Sequence, residues 1–361
     1  MRFFNLKRLL VILIIGPIFI INLLINRFFM LLDNVLFPKF KRQDISNAVL
    51  IVAAPRSGTT FLFHTLAEHN DFTTFKLWEM IFAPSICQKY LFRLFLKMDA
   101  KLGNCITRTI IKVEDRALFE FRKTHKIGLR LPEEDEVVML WSLQSIYFTF
   151  FYPDTDIFDH LYHFIGLKNK KRQERIIKSY QRYIQRHNYF YNRNNDKRFL
   201  SKNPALMGRI SAVHRILPAA QIININRCVS RTIPSTEALT KTLSSFGTSR
   251  NISITTSKKS KEVITSWYEL AEKELKMFYP TQFLKVDFLK IIKLNETELN
   301  RISEFLNIPV SIFKNIEIKK GHRNQQKYTP LSTAELELIW GRLPFMKSYY
   351  TPNKKGSSME P

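Results

Sequence analysis

The residues best suited to chemistry lie in one stretch, Val49-Leu50-Ile51-Val52-Ala53-Ala54-Pro55-Arg56-Ser57-Gly58-Thr59-Thr60. Its unbroken apolar run reads as a strand buried on both faces of a parallel sheet. The run stops at Pro55, and Phe61-Leu62-Phe63-His64-Thr65-Leu66 then opens a helix. Strand, tight turn and helix aim free backbone N–H groups and the positive end of a helix dipole at an anion. In the phosphate-loop frame G-x-x-x-x-G-K-[ST], Ala53 stands for the first Gly, Gly58 for the second, Thr59 for the Lys and Thr60 last. The only cation inside the loop is Arg56. The stretch therefore reads as an anion site without the Lys of a nucleoside-triphosphate hydrolase.

A P-R-S-G-T-T loop after a strand resembles the sulfotransferase family, whose donor is 3′-phosphoadenosine 5′-phosphosulfate (PAPS). The resemblance implies a second element, a strand ending in Arg with a Ser eight positions later, which binds the donor's 3′-phosphate. Gln221-Ile222-Ile223-Asn224-Ile225-Asn226 is such a strand; Arg227 ends it and Ser235 lies eight residues on. By the same resemblance, Arg56, Ser57, Gly58, Thr59 and Thr60 cradle the 5′-phosphosulfate. Phe61 takes the place where many members stack a Trp on adenine; packing into the core is the competing reading. Lys320 and Arg323, in Lys319-Lys320-Gly321-His322-Arg323, resemble the basic loop that covers the 3′-phosphate.

The resemblance also implies the catalytic set Glu79, Lys202 and Arg56, and no metal. Lys202, in Lys202-Asn203-Pro204, resembles the Lys of the family's K-[SN]-P segment and is expected to stabilise the departing phosphate. Glu79 follows Arg56 by 23 positions, where several branches place their general base. It is expected at the end of a short strand beside Trp78, in a closed aromatic site that raises its pKa. A helix cap or an ion pair is the alternative. His64 and His69 read as packed or surface histidines. Glu133 to Glu136 follow Pro132 and read as the acidic start of a helix from Val137 to Phe151, and they resemble a P-E-E-D run of the bacterial-type branch.

The elements that must position these residues alternate between strand and helix, which predicts an α/β fold: a phosphate-loop-like parallel sheet flanked by helices. Strands are expected at Val49–Ala54, within Asp71–Leu77, at Arg198–Ser201, Gln221–Asn226 and Phe283–Asp287. Helices are expected at Lys168–Asn188, from about Pro234, at Ser257–Phe278 and at Glu296–Leu306. A ligand should sit beyond the C-terminal strand ends, where Pro55 and Arg227 fall.

The chain has 361 residues, 56 Lys+Arg against 31 Asp+Glu, and a formal charge of +25, so anionic partners are expected. Nucleic acid ranks low among them, because no recognised binding motif accompanies the charge. Cys87, Cys105 and Cys228 are scattered without metal-ligand or redox spacing. Leu9 to Ile25 is an apolar run with Arg and Lys on both flanks. It reads as a retained membrane anchor, either spanning or bent at Gly16-Pro17 and returning to the same side. The organisation expected is an anchor in residues 1–42, an α/β domain in 43–346 and a frayed tail in 347–361. The domain is expected to face the cytoplasm, where the donor is made, with the basic face of helix 168–188 as a further lipid contact. The acceptor is an unidentified hydroxyl or amine, with lipid or carbohydrate suggested by the anchor and the aromatic content. The rivals are a small-molecule kinase on a related loop and a non-enzymatic basic protein of the membrane surface.

Overall fold

The computed structural model describes residues 6–122, 127–151, 157–164, 167, 169–245, 254–313 and 329–349. Its centre is a five-stranded sheet of β1 (Val49–Val52), β2 (Phe72–Thr73), β3 (Arg198–Lys202), β4 (Gln221–Asn226) and β5 (Phe283–Asp287). The order is β2-β3-β1-β4-β5, and every pairing is parallel. The central strand β1 is fully buried, as a strand covered by helices on both faces must be. The register sets Ile51 opposite Lys202 and Val52 opposite Asn224. The C-terminal ends of β1, β3 and β4 therefore emerge at one edge, with the anion loop between them.

Side chains of β1 alternate between two cores, as the pleat requires. Val49 and Ile51 pack with Leu62, Phe63, Leu299 and Ile302, from α2 (Thr59–Ala67) and α14 (Glu296–Leu306). Leu50 and Val52 face Tyr180, Ile184, Val213, Ile233 and Trp267. These come from α9 (Lys170–Tyr191), α10 (Ile210–Ile216), α11 (Val229–Ser244) and α12 (Ile254–Glu274). The remaining helices are α3 (Leu77–Phe82), α4 (Ile86–Lys101), α5 (Cys105–Ala117), α13 (Phe288–Ile292) and α15 (Thr333–Arg342), with single turns α6 (Phe119–Arg122), α7 (Phe148–Phe151) and α8 (Asp159–Tyr162).

The apolar N-terminal run is one continuous helix, α1 (Leu6–Leu36), which passes straight through Gly16-Pro17 and does not turn back. Its apolar stretch extends past Ile25 to Leu36, 28 residues in all, and only 11% of its most apolar part is buried. The second half docks on the domain. Phe19 stacks on Trp141 at 5.7 Å, Asn26 donates to Ile81 O at 3.1 Å, and Arg27 donates to Trp141 O at 3.1 Å. The fully buried Asp33 accepts from Ile86 N (2.9 Å), Cys87 N (3.0 Å) and Arg186 Nε (2.9 Å). One carboxylate thus satisfies two of the N–H groups that α4 leaves open at its N-terminus and neutralises a buried guanidinium.

Four local expectations change. The strand expected within Asp71–Leu77 shrinks to Phe72–Thr73, and Trp78 and Glu79 lie in the following helix α3. The helix expected over Val137–Phe151 is a 3-10 turn (Asp135–Ser142) and then α7, broken where Leu143 takes φ 58. The break lets the buried Glu136 carboxylate accept from Ile146 N at 2.7 Å. Pro234 lies inside α11, which begins earlier, at Val229. The helix expected to end at Phe278 stops at Glu274 and tightens into a 3-10 turn.

Replacing Asp33 with Ala should destabilise the full chain by about 3–5 kcal/mol, since it leaves a buried charge and two helix-end donors unmatched. Denaturant titration in detergent measures this, and limited proteolysis should show α1 cut free at lower denaturant than in the parent.

Candidate active site

Backbone conformation shapes the loop after β1. Arg56 (φ 65) and Gly58 (φ 74) are both left-handed, a pattern that folds successive N–H groups toward one side as an anion nest. Gly58 has a second reason to lack a side chain, because a Cβ there would drive into the ring of Phe288. Arg56, with its side chain, bears the left-handed strain at a cost on the order of 1 kcal/mol, which ligand clamps commonly store.

The loop's carbonyls are held from β4 and α11. Asn224 donates to Val52 O at 2.9 Å, Thr236 donates to Pro55 O at 3.2 Å, and Arg227 donates to Arg56 O. The exposed Arg56 reaches Ser235 Oγ at 3.1 Å through Nε. The Arg227 guanidinium lies over the Phe288 ring at 4.3 Å. The two elements separated by 171 residues, the Pro55-to-Thr60 loop and the Arg227-to-Ser235 segment, therefore form one cationic cleft edge.

Two observations bear on whether an anionic nucleotide fits here. The fully buried Ser57 Oγ faces Tyr268 yet makes no hydrogen bond of good geometry. The donors at the edge are two guanidiniums, a chemistry suited to phosphate or sulfate oxygens. The residues present fit a polyanion. Thr59 is buried and Thr60 half-buried, while Phe61 packs against the core on the α2 side. Packing, the competing reading for Phe61, is the contact it makes.

Lys202 ends β3, is 1% exposed, and donates to Thr60 Oγ1 at 3.2 Å. Its ammonium sits 3.1 Å from Glu134 and 3.7 Å from Glu133. The acidic run therefore does more than start a helix: two of its members pair with the lysine that touches the loop, and the other two are buried. Asp135 accepts from the Tyr180 hydroxyl at 2.7 Å, and Glu136 pairs with Arg209 at 3.4 Å and accepts from Asn203 at 3.1 Å. Burial pushes Asp135 up to about 7, partly offset by hydrogen bonds from Tyr180, Ser201 and Asn203.

Glu79 differs from expectation. It is 1% exposed, 2.7 Å from His187 Nδ1 and 3.1 Å from Lys89 Nζ, while His187 Nε2 lies 2.7 Å from Thr73 Oγ1. Burial alone would raise its pKa, but the His187 and Lys89 charges and hydrogen bonds outweigh burial and hold it below the usual carboxylate value. The expected upward shift is not what this surrounding produces. Trp78 packs on Phe92 at 5.4 Å. His64 is buried, and His69 lies 3.6 Å from Asp71, so both histidines are structural. Lys320 and Arg323 lie outside the described residues.

Sequence reasoning missed Phe288, Asn224, Thr236 and Tyr268, which shape the loop from behind. The one available signal is positional: Asn224 lies on β4, and Phe288 follows β5 at the sheet edge where ligands bind in α/β folds.

Fold and site together define a parallel α/β protein with a glycine-containing loop between β1 and α2. A profile of the sulfotransferase family matches residues 48–311, and the chain belongs to that family. Among solved structures, the fold resembles sulfotransferase STF1 from Mycobacterium tuberculosis H37Rv, with a TM-score of 0.67 at 14% identity over 91% of this chain and 85% of that one. Sulfotransferase STF9 from Mycobacterium avium gives a TM-score of 0.66 at 14% identity, over 93% of this chain and 85% of the other. No protein of curated function matches the chain in sequence.

Asp135 makes stability depend on pH. Its folded value of about 7 lies above the ordinary value near 3.9, so the folded chain holds the extra proton. That contribution is complete below about 4 and is lost as pH rises through about 7. Melting curves between pH 5 and 8 should show Asp135→Asn losing less stability over that range than the parent.

Proposed function

We propose that this sulfotransferase takes its sulfuryl group from PAPS and transfers it to a hydroxyl or amine of an amphiphilic acceptor, a lipid or glycolipid. The observation that carries the reading is the convergence of Arg56 with Ser235 and of Arg227 with the Arg56 carbonyl at the glycine loop. Two cationic elements far apart in sequence suit a donor with two separate anionic ends. The donor supplies an activated sulfur whose leaving group is a phosphate. Loop N–H groups with Arg56, Ser57, Thr59 and Thr60 would hold the 5′-phosphosulfate, while Arg227 and Ser235 would hold the 3′-phosphate.

As in phosphoryl transfer, the chain's work is positioning and charge stabilisation. Lys202, held by Glu133 and Glu134 against Thr60, is placed to stabilise charge on the departing phosphate. The acceptor's proton needs a base. Glu79 is ionised, as a base must be, but its oxygen is committed to Lys89 and His187. Glu134 is partly exposed and tied to the loop through Lys202, and we assign it as the second candidate beside Glu79. The mostly exposed apolar face of α1 supports a membrane-bound enzyme and an acceptor met at the lipid surface. We place the domain on the cytoplasmic side, where the donor is made.

Titrating the full chain in detergent with 3′-phosphoadenosine 5′-phosphate tests the donor. At about 100 times the dissociation constant the ligand should add roughly 2.7 kcal/mol of stability, read as a melting shift. The shift should exceed that given by 5′-AMP and vanish in Arg56→Ala and Arg227→Ala. Stabilisation by magnesium-ATP alone would favour the phosphoryl-transfer rival. Well-folded protein with no shift would favour the non-enzymatic one.

Transfer of radiolabelled sulfuryl from PAPS into a total lipid extract tests the chemistry. Lys202→Met should keep nucleotide binding and lower kcat by about 10²–10³, the usual loss when one transition-state charge partner is removed. Equal activity in parent and variant would remove Lys202 from the mechanism.

A further inference from the structure

We propose that the α4–α5 hairpin is a second membrane-embedding element, seated in the headgroup and upper acyl region of an anionic bilayer beside α1. The inference rests on the reading of α1 as a membrane anchor and adds a surface that reading does not contain.

The hairpin carries two apolar stripes with nothing of the domain over them. On α4 and its end, Leu91, Leu94, Phe95, Met98 and Leu102 recur at helical spacing and are all exposed, Leu102 by 70%. On α5, Ile106, Ile110 and Val113 continue the pattern, Val113 is 60% exposed, and the helix buries no residue at all. Contiguous apolar surface of this kind marks an interaction site. Cations occupy the other faces at four-residue spacing: Arg93, Lys97 and Lys101 on α4, and Arg108, Lys112 and Arg116 on α5. Amphipathic helices with an aliphatic stripe and a Lys/Arg face lie in the bilayer interface, the stripe among acyl chains and the cations toward acidic headgroups.

The position on the fold selects lipid as the occupant. Asp33 of α1 caps α4, so the hairpin springs from the anchor helix itself. Phe19 of α1 touches the domain at Trp141. Beyond it α1 stays apolar and exposed, at Leu24, Phe28, Leu31 and Val35. Covering those residues with lipid brings the adjoining domain surface to the bilayer, and the hairpin is that surface. A cleft of about 490 Å³ along the same part of α1 presents Arg27, Arg175 and Arg182 beside Met30 and Leu31, a lining suited to acidic headgroups. Lys89 of α4 holds Glu79 at 3.1 Å, so the embedded element is one ion pair from a candidate base.

The test uses the full chain with Cys87→Ala, Cys105→Ser and Cys228→Ser, reconstituted in phosphatidylcholine vesicles containing phosphatidylglycerol. An environment-sensitive fluorophore is placed singly at Ile110→Cys, Met98→Cys, Leu13→Cys or the exposed Glu304→Cys. We expect the labels at 13, 98 and 110 to blue-shift and to be quenched by lipids carrying a nitroxide on the upper acyl chain, while the label at 304 does neither. Quenching at 13 without quenching at 98 and 110 would overturn the hairpin proposal and leave the anchor standing. No quenching at any site would remove both. A blue shift at 98 and 110 that persists in detergent and resists lipid quenching would assign the stripes to a protein partner and overturn the proposal.

Discussion

The loop between β1 and α2 belongs to no hydrogen-bonded ladder, and the site depends on how that piece of backbone is held. Buried carbonyls need partners. Here the partners come from the neighbouring strand and helix: Asn224 for Val52, Arg227 for Arg56 and Thr236 for Pro55. Phe288 closes the arrangement by lying against Gly58 and under Arg227, so the glycine position, the cation and the end of β5 form one stack. A binding site made this way is preorganised by the sheet register, because the strands that supply the donors are in fixed alignment with β1.

Several buried cations of the domain are paired with acids. Lys202 is held by Glu133 and Glu134, Arg209 by Glu136, Lys89 by Glu79 and Arg186 by Asp33. Ion pairs of this kind add little net stability over an apolar core, but removing one member is costly. Their effect is to fix geometry. Lys202 is locked against Thr60, and α3, α4 and α9 are locked together through Glu79, Lys89 and His187. The same constraint lowers the pKa of Glu79 while burial raises that of Asp135, so nearby carboxylates of similar chemistry hold opposite protonation tendencies.

The helix α1 is joined to the domain through polar groups on one of its faces. Asn26, Arg27 and Asp33 point into the domain, while Leu24, Phe28 and Leu31 face outward. These contacts tie the second half of α1 to the fold. The basic helix α9 buries Tyr180, Tyr183, Ile184 and His187 in the core and turns Lys171, Arg175 and Lys178 outward, while Arg186 is buried on Asp33.

The amino-acid sequence by itself determined the parallel α/β class, four of the strands close to their observed bounds, and the strand–turn–helix around Gly58. These follow from short-range rules: apolar runs for buried strands, a glycine where φ must be positive, and helix onset after a small-residue turn. The resemblance to a family singled out the Arg56 loop and the Arg227-to-Ser235 segment, but the contact between Arg56 and Ser235 came only with the fold. Tertiary structure decided the rest. The partners of Glu79, namely Lys89 and His187, lie 10 and 108 residues away, and no local pattern reports which of several buried charges will meet. Likewise, the break at Leu143 goes with a hydrogen bond from Ile146 N to the Glu136 carboxylate, which no local pattern announces. A charge's pKa, a loop's shape and a helix's docking face depend on neighbours that only the folded chain brings within a few ångströms, and sequence spacing carries no such distance.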